Sequence, residues 1–198
     1  MKLSKGAITI LAVVGALVII FLWANSSYNK MVKQEEGVTS AWSQVENVYQ
    51  RRADLIPNLV ATVKGYAAHE QQTLEGVVNA RAKATSITVD PKNLSAEKLA
   101  EFQQAQGELS SALGKLLMIQ EQYPDLKANQ NFLELQAQLE GTENRITVER
   151  QKFNEAAQAF NTSIRLFPRN IIAGMFGFER KAYFEAQEGA ETAPKVQF

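Results

Sequence analysis

The chain has 198 residues, with 21 acidic and 21 basic side chains, so its formal net charge at neutral pH is zero. This balance argues against a nucleic-acid-binding protein, which typically carries a basic excess or a basic stripe. The absence of cysteine excludes disulfides and thiolate metal sites. The length is sufficient for one domain of ordinary size in addition to a membrane anchor.

Residues 6–24, GAITILAVVGALVIIFLWA, contain no charged side chain. A helix of about 20 apolar residues spans the hydrocarbon core of a bilayer, and a helix satisfies its own backbone hydrogen bonds there. A cleaved signal peptide is the alternative, but this run is longer than a signal-peptide core and ends in residues too large for a cleavage site. We therefore predict a short tail and a retained transmembrane anchor within residues 1–27.

The charges that flank the anchor are almost balanced, with Lys2 and Lys5 before it and Lys30 and Lys33 after it. Positively charged residues close to a span tend to stay in the cytoplasm, and the lysines of the short tail lie closer to the span. We expect a single-pass protein of the inner (cell) membrane, with the following domain on the extracytoplasmic side. The opposite orientation is the alternative.

From residue 28 to residue 84, apolar side chains recur at alternating spacings of three and four residues. This pattern is typical of a helix that packs lengthwise against other helices. It predicts one long helix, interrupted by Pro57. A proline removes a backbone hydrogen bond within a helix, but the apolar pattern keeps its phase on both sides, so we predict a kink at Pro57 and not an end.

Two further long helices are predicted after a loop at residues 85–93. Ser95 is a suitable N-cap for the first of them, which Tyr123 and Pro124 should end. Asn129 or Asn131 can cap the next helix, which Pro168 should end. Its apolar side chains fall seven residues apart: Phe132, Leu139, Ile146, Phe153, Phe160 and Phe167.

Residues 171–178, IIAGMFGF, are too few to span a bilayer. We predict a short fourth helix that covers the end of the bundle, with a membrane-surface contact as the alternative. Residues 186–198 are expected to be disordered. The fold class is therefore all-α, with a transmembrane helix followed by an antiparallel up-and-down bundle of three long helices and one short helix over residues 28–185.

Charged residues occur at positions of the predicted apolar seams, and buried charges require partners. We predict a polar layer beside the Pro57 kink that joins Arg52 or Asp54 to Glu143, Arg145 or Arg150. Its role would be to fix the register of the helices, as polar seam residues do in coiled coils. The alternative is that these long side chains reach solvent at the edge of the bundle.

His69 is the only histidine of the chain, and we expect it at the surface. A single histidine cannot complete the paired Glu-x-x-His sites of di-metal bundles. The sequence also lacks a glycine-rich phosphate loop and a nucleophile elbow. We therefore predict no catalytic residue, no metal site and no cofactor.

Three separated motifs resemble those of the LemA family. They are RADLIPNLV at residues 52–60, LEGTENRI at residues 139–146, and Phe160-Asn161 followed by Phe167-Pro168 and Gly177-Phe178. The resemblance extends over about residues 5–185 and includes the N-terminal apolar segment. It implies a membrane-anchored four-helix bundle, and it implies no particular enzymatic activity.

Taken together, these patterns predict a non-enzymatic, membrane-anchored helical scaffold. Its expected partners are the lipid bilayer, further copies of itself and a second membrane protein, without nucleic acid. The alternative is a sensing or signalling bundle that responds to a ligand or to the state of the envelope.

Overall fold

The structure, a computed structural model, describes residues 5–91 and 94–185. Those residues form six α-helices and one 3-10 turn, with no β-strand among them. The predicted disordered tail at 186–198 lies outside the described residues. The helices are α1 (Lys5–Tyr66), α2 (Gln71–Ser86), α3 (Ala96–Met118), α4 (Pro124–Lys127), α5 (Gln130–Arg165) and α6 (Arg169–Phe176).

The first helix joins the apolar N-terminal segment to the bundle without a break. Large apolar side chains from Ile8 to Leu22 are exposed, and this part of α1 is the one stretch of the described residues long and apolar enough to cross a membrane. The apolar side chains of the predicted seam are buried from Met31 to Val63. The helix also continues through Pro57 to Tyr66, as the phase of the pattern predicts.

The prediction of one helix from residue 28 to residue 84 is wrong. The helix ends at Tyr66, and a turn at residues 67–70 reverses the chain into α2. Leu74, Val77 and Ala84 are buried on α2. The apolar spacing therefore continues across the turn, and the turn could not be recognised from that spacing. The fourth helix of the bundle is consequently α2, and the short helix predicted near residues 171–178 is an additional element.

Both predicted N-caps are present. The Ser95 hydroxyl accepts a hydrogen bond from the Lys98 amide at the start of α3, and the Asn129 side chain accepts one from the Phe132 amide at the start of α5. The α5 seam is buried from Phe132 to Phe160. Its predicted last member, Phe167, is instead 80% exposed, because α5 ends at Arg165, three residues before Pro168.

Helices α1 and α5 form the longest antiparallel pair, and α2 and α3 pack beside them. The buried side chains form two clusters. The proximal core, on the side of the anchor, is centred on Trp42, Phe102, Phe153 and Phe160. The distal core, at the far end, includes Leu59, Leu116, Leu126 and Phe132.

After α6, residues 178–185 run back along the bundle without regular secondary structure. The Asn161 side chain pairs with both backbone groups of Lys181 at 2.8 Å. The Asn154 side chain pairs in the same way with Phe184, at 2.8 and 2.9 Å. We call this segment the C-terminal strap; it contributes the Phe184 side chain to the proximal core.

Candidate functional site

The most unusual buried group is the guanidinium of Arg52, which is 1% exposed. One terminal nitrogen donates to Glu143 on α5 at 2.5 Å and to the Ser110 hydroxyl on α3 at 2.8 Å. The other donates to the side-chain and backbone oxygens of Gln106. Burial of a charge is tolerated when it is paired and hydrogen-bonded, and both conditions are met here.

The layer around Arg52 reaches all four bundle helices. Arg52 lies on α1, Gln106 and Ser110 lie on α3, and Glu143 lies on α5. The Gln106 amide nitrogen donates to the Ala84 carbonyl at the end of α2, 3.3 Å away. The layer lies between the proximal and distal cores, since Tyr49 and Ile146 belong to the first and Ile56 and Leu139 belong to the second.

The two charges of the central ion pair differ in their contact with water. The Arg52 side chain is 1% exposed, whereas that of Glu143 is 46% exposed. The carboxylate can therefore remain hydrated when its partner is removed, and the guanidinium cannot.

The structure brings together only part of the predicted layer. Arg52 and Glu143 are paired. Arg150 lies nearby, where it donates to the Glu185 carbonyl at 2.9 Å and covers the Phe184 ring. Asp54 is exposed and accepts from Gln50 on its own helix, and Arg145 is exposed. The predicted membership of Asp54 and Arg145 is therefore wrong, because both side chains point away from the seam.

Tyr49 borders the layer on the side of the proximal core. Its ring lies 5.1 Å from the Arg52 guanidinium. Burial raises the pKa of the Tyr49 hydroxyl, although Arg150 and Arg52 act in the opposite direction. The hydroxyl thus remains protonated at neutral pH.

A polar cleft of about 920 Å³ opens beside the layer. Its lining includes Tyr49, Gln103, Glu143, Arg150 and Glu185. The cations at this cleft already have partners on the protein, namely Glu143 for Arg52 and the Glu185 carbonyl for Arg150. One nitrogen of the layer, Nε of Arg52, is buried without a hydrogen-bond partner among the described residues.

Pro57 has a specific partner on α2. Because proline has no amide hydrogen, the carbonyl four residues earlier, that of Ala53, loses its usual helical donor. The Arg81 side chain donates to this carbonyl through Nε at 2.7 Å. Arg81 therefore replaces the missing donor and joins α2 to α1 at the residue that follows Arg52.

Sequence reasoning missed several members of this region. Ser110, which accepts a hydrogen bond from Arg52, was not predicted, because serine is common on exposed helix faces. The ion pair between Lys181 and Glu35, at 2.8 Å with the lysine side chain buried, was also missed. It depends on the path of the C-terminal strap, which has no periodic pattern.

His69 lies exposed in the turn between α1 and α2, and not within a helix. Within residues 5–91 and 94–185, no three histidine, cysteine, aspartate or glutamate side chains are grouped so that they could hold a metal ion.

The chain is similar in sequence to several known proteins. The magnetosome protein MamQ 1 of Paramagnetospirillum magneticum is 26% identical over 96% of this chain and 77% of its own length. MamQ of Magnetospirillum gryphiswaldense is 26% identical over 94% of this chain and 73% of its own length. The protein LemA of Metamycoplasma hominis is 26% identical over 81% of this chain and 69% of its own length. The model of the LemA family matches residues 41–198, and the chain therefore belongs to the LemA family.

Proposed function

We propose that this protein is a non-enzymatic scaffold, held in the inner membrane by one helix, that assembles with further copies of itself and docks a second membrane protein. The observation that carries the proposal is the continuity of α1. One helix runs from the exposed apolar segment into the buried seam of the bundle. Anchor and bundle thus share one continuous helix, and any partner bound by the bundle is held close to the bilayer.

The interior of the bundle supports a structural role. The polar layer around Arg52 contacts all four bundle helices, and such polar contacts fix one register of helices against the alternatives. Arg52 and Arg150 are occupied by groups of the protein itself.

The scaffold is tested by measuring the mass of the full chain in a mild detergent by size exclusion with light scattering. We expect species larger than a dimer, because a scaffold must present several copies of its binding surface. A monomer at all protein concentrations, in detergent and after crosslinking in membranes, would contradict self-assembly.

A sensing bundle is the second candidate, and the polar cleft favours it. Arg52 and Arg150 line a cleft large enough for a small anionic molecule. A thermal-shift screen of small carboxylates and phosphates tests this function. A sensor should be stabilised by one of them, and the effect should disappear in Arg150→Met.

A further inference from the structure

At the end of the bundle nearest the anchor, a group of apolar side chains remains exposed. Phe167 is 80% exposed and Met175 is 76% exposed. Ile171 and Met175 lie one turn apart on α6, whereas Ile172 and Ala173 between them are buried against the bundle. We call the exposed group the basal face; it consists of Leu166, Phe167, Ile171, Met175 and Phe176.

The basal face is continuous with the start of the bundle on α1. The Phe176 ring lies 4.7 Å from the ring of Tyr28, and Tyr28 also contacts Phe178 at 5.7 Å. Ala24, at the end of the apolar segment, packs against the same proximal core. Helix α6 therefore lies beside the point where α1 leaves the apolar segment.

Helix geometry places this point at the depth of the lipid headgroups. At 1.5 Å per residue, residues 6–24 extend about 28 Å, close to the thickness of a bilayer's hydrocarbon core. Tyr28 lies about 6 Å further along the helix, and each headgroup layer is about 5–8 Å thick. The ring of Phe176, in contact with Tyr28, is thus at the depth of the headgroup layer.

The composition of the basal face suits this depth. Aromatic rings are enriched where one end of a side chain is in lipid and the other in water. Interfacial helices combine an apolar face with nearby cations that attract anionic lipids. Exposed Arg165 and half-buried Arg169 flank the basal face. Exposed apolar patches of this kind usually mark a contact with a protein or a membrane.

We propose that the basal face inserts into the surface of the same bilayer that holds the anchor, so that α6 is a second membrane contact beside α1. The proposal rests on the membrane anchoring proposed above. Two contacts on different elements fix the tilt of the bundle relative to the membrane, which a single helix crossing the bilayer does not.

The test uses the absence of cysteine. Full-length single-cysteine variants are labelled with a nitroxide and reconstituted into vesicles of phosphatidylcholine and phosphatidylglycerol. Met175→Cys reports on the basal face, and Leu17→Cys reports on the anchor. Met118→Cys is the matched control, since Met118 is 65% exposed and lies at the opposite end of the bundle. All three positions are exposed, so the core is not disturbed.

The measured quantity is the ratio of collision rates with oxygen, which enters lipid, and with a water-soluble nickel chelate. We expect this ratio to be severalfold higher at residues 17 and 175 than at residue 118. A high ratio at 17 with a low ratio at 175 would overturn the basal-face contact and leave the anchor in place. A low ratio at 17 would overturn the anchoring itself.

A second copy of the chain is the competing occupant of the basal face. In that case, labels at residue 175 should show dipolar broadening that disappears on dilution with unlabelled protein, without a raised oxygen ratio. That result would also overturn the proposal.

Discussion

At the scale of single residues, the ion pair between Arg52 and Glu143 should respond unequally to removal of its two members. Glu143→Ala leaves the guanidinium buried without a counter-charge, and we expect a loss of about 3–5 kcal/mol in the free energy of unfolding. Arg52→Met leaves the half-exposed Glu143 carboxylate, which water can solvate. It also leaves the side-chain oxygen of Gln106 without its hydrogen-bond donor. We expect this variant to lose about 1–3 kcal/mol. Urea unfolding of the full chain in detergent micelles measures both.

The double variant Arg52→Met with Glu143→Ala should be about as stable as Arg52→Met alone, because no buried charge remains. Glu140→Ala is the matched control, since Glu140 is exposed on the same helix, and it should change stability by less than about 0.5 kcal/mol. Equal losses for the two single variants would show that the asymmetric exposure of the pair has no energetic consequence.

The contact between Arg81 and the Ala53 carbonyl yields a second prediction. Arg81→Met leaves a partly buried carbonyl without a donor, which should cost about 1–2 kcal/mol. In a Pro57→Ala background, the new amide at position 57 can donate to the same carbonyl, so Arg81→Met should cost less than half as much. The double-mutant cycle is read by denaturant unfolding.

Arg51→Met, at an exposed position of α1, controls for the general loss of a cation. If Arg81→Met lowers the free energy of unfolding equally with Pro57 and with Ala at position 57, the Arg81 side chain does not replace the missing backbone donor.

The sequence revealed the centre of the polar layer but not its edge. Arg52 stands in a seam of apolar residues, so its burial and its need for a partner could be predicted. Asp54 and Arg145 were assigned by closeness along the chain. A shift of two residues along a helix rotates a side chain by about 200°, which turns these two toward water. Ser110 could be found only once the rotation of α3 was known.

At the scale of elements, the C-terminal strap contributes to the core as a helix would. Phe184 lies parallel to Trp42 at 5.8 Å and packs edge-on against Phe153 at 5.3 Å. Phe184→Ala should therefore cost about 3–5 kcal/mol, the usual range for a buried phenylalanine. Phe167→Ala is the matched control, because this phenylalanine lies outside the core, and in detergent it should cost less than about 0.5 kcal/mol.

The emission of Trp42 gives a second measurement of the same element. Loss of the Phe184 ring should admit water to the indole and shift its emission to the red, with Trp23→Phe as the background to remove the other tryptophan. An unchanged spectrum and unchanged stability would show that the strap is dispensable for the proximal core.

Long helices with a regular apolar spacing were predicted well, but the points where those helices end were not. The caps at Ser95 and Asn129 and most of the α5 seam follow from local patterns. The reversal at residues 67–70 leaves the period intact, because α2 continues the seam with residues at compatible spacings. Phe167 lies seven residues after Phe160, as the α5 spacing requires, but α5 has already ended at Arg165. The spacing alone therefore predicted wrongly that Phe167 is in the core.

At the scale of the whole molecule, the remaining question is which side of the membrane carries the bundle. The folded protein places Arg165 and Arg169 near the anchor, but insertion is decided while the chain is still extended. Only the charges adjacent in sequence then act, and Lys2 and Lys5 lie closer to the span than Lys30 and Lys33. This favours a cytoplasmic tail and an extracytoplasmic bundle.

Single cysteines on the two sides of the anchor test this orientation. Ser111 is exposed on α3, and Ser111→Cys should react with a membrane-impermeant maleimide in intact cells. Ser4→Cys, in the tail, should react only after lysis and is the reciprocal control. The opposite pattern would place the bundle in the cytoplasm. The basal face would then contact the inner leaflet, where anionic lipids and its flanking arginines would attract each other more strongly.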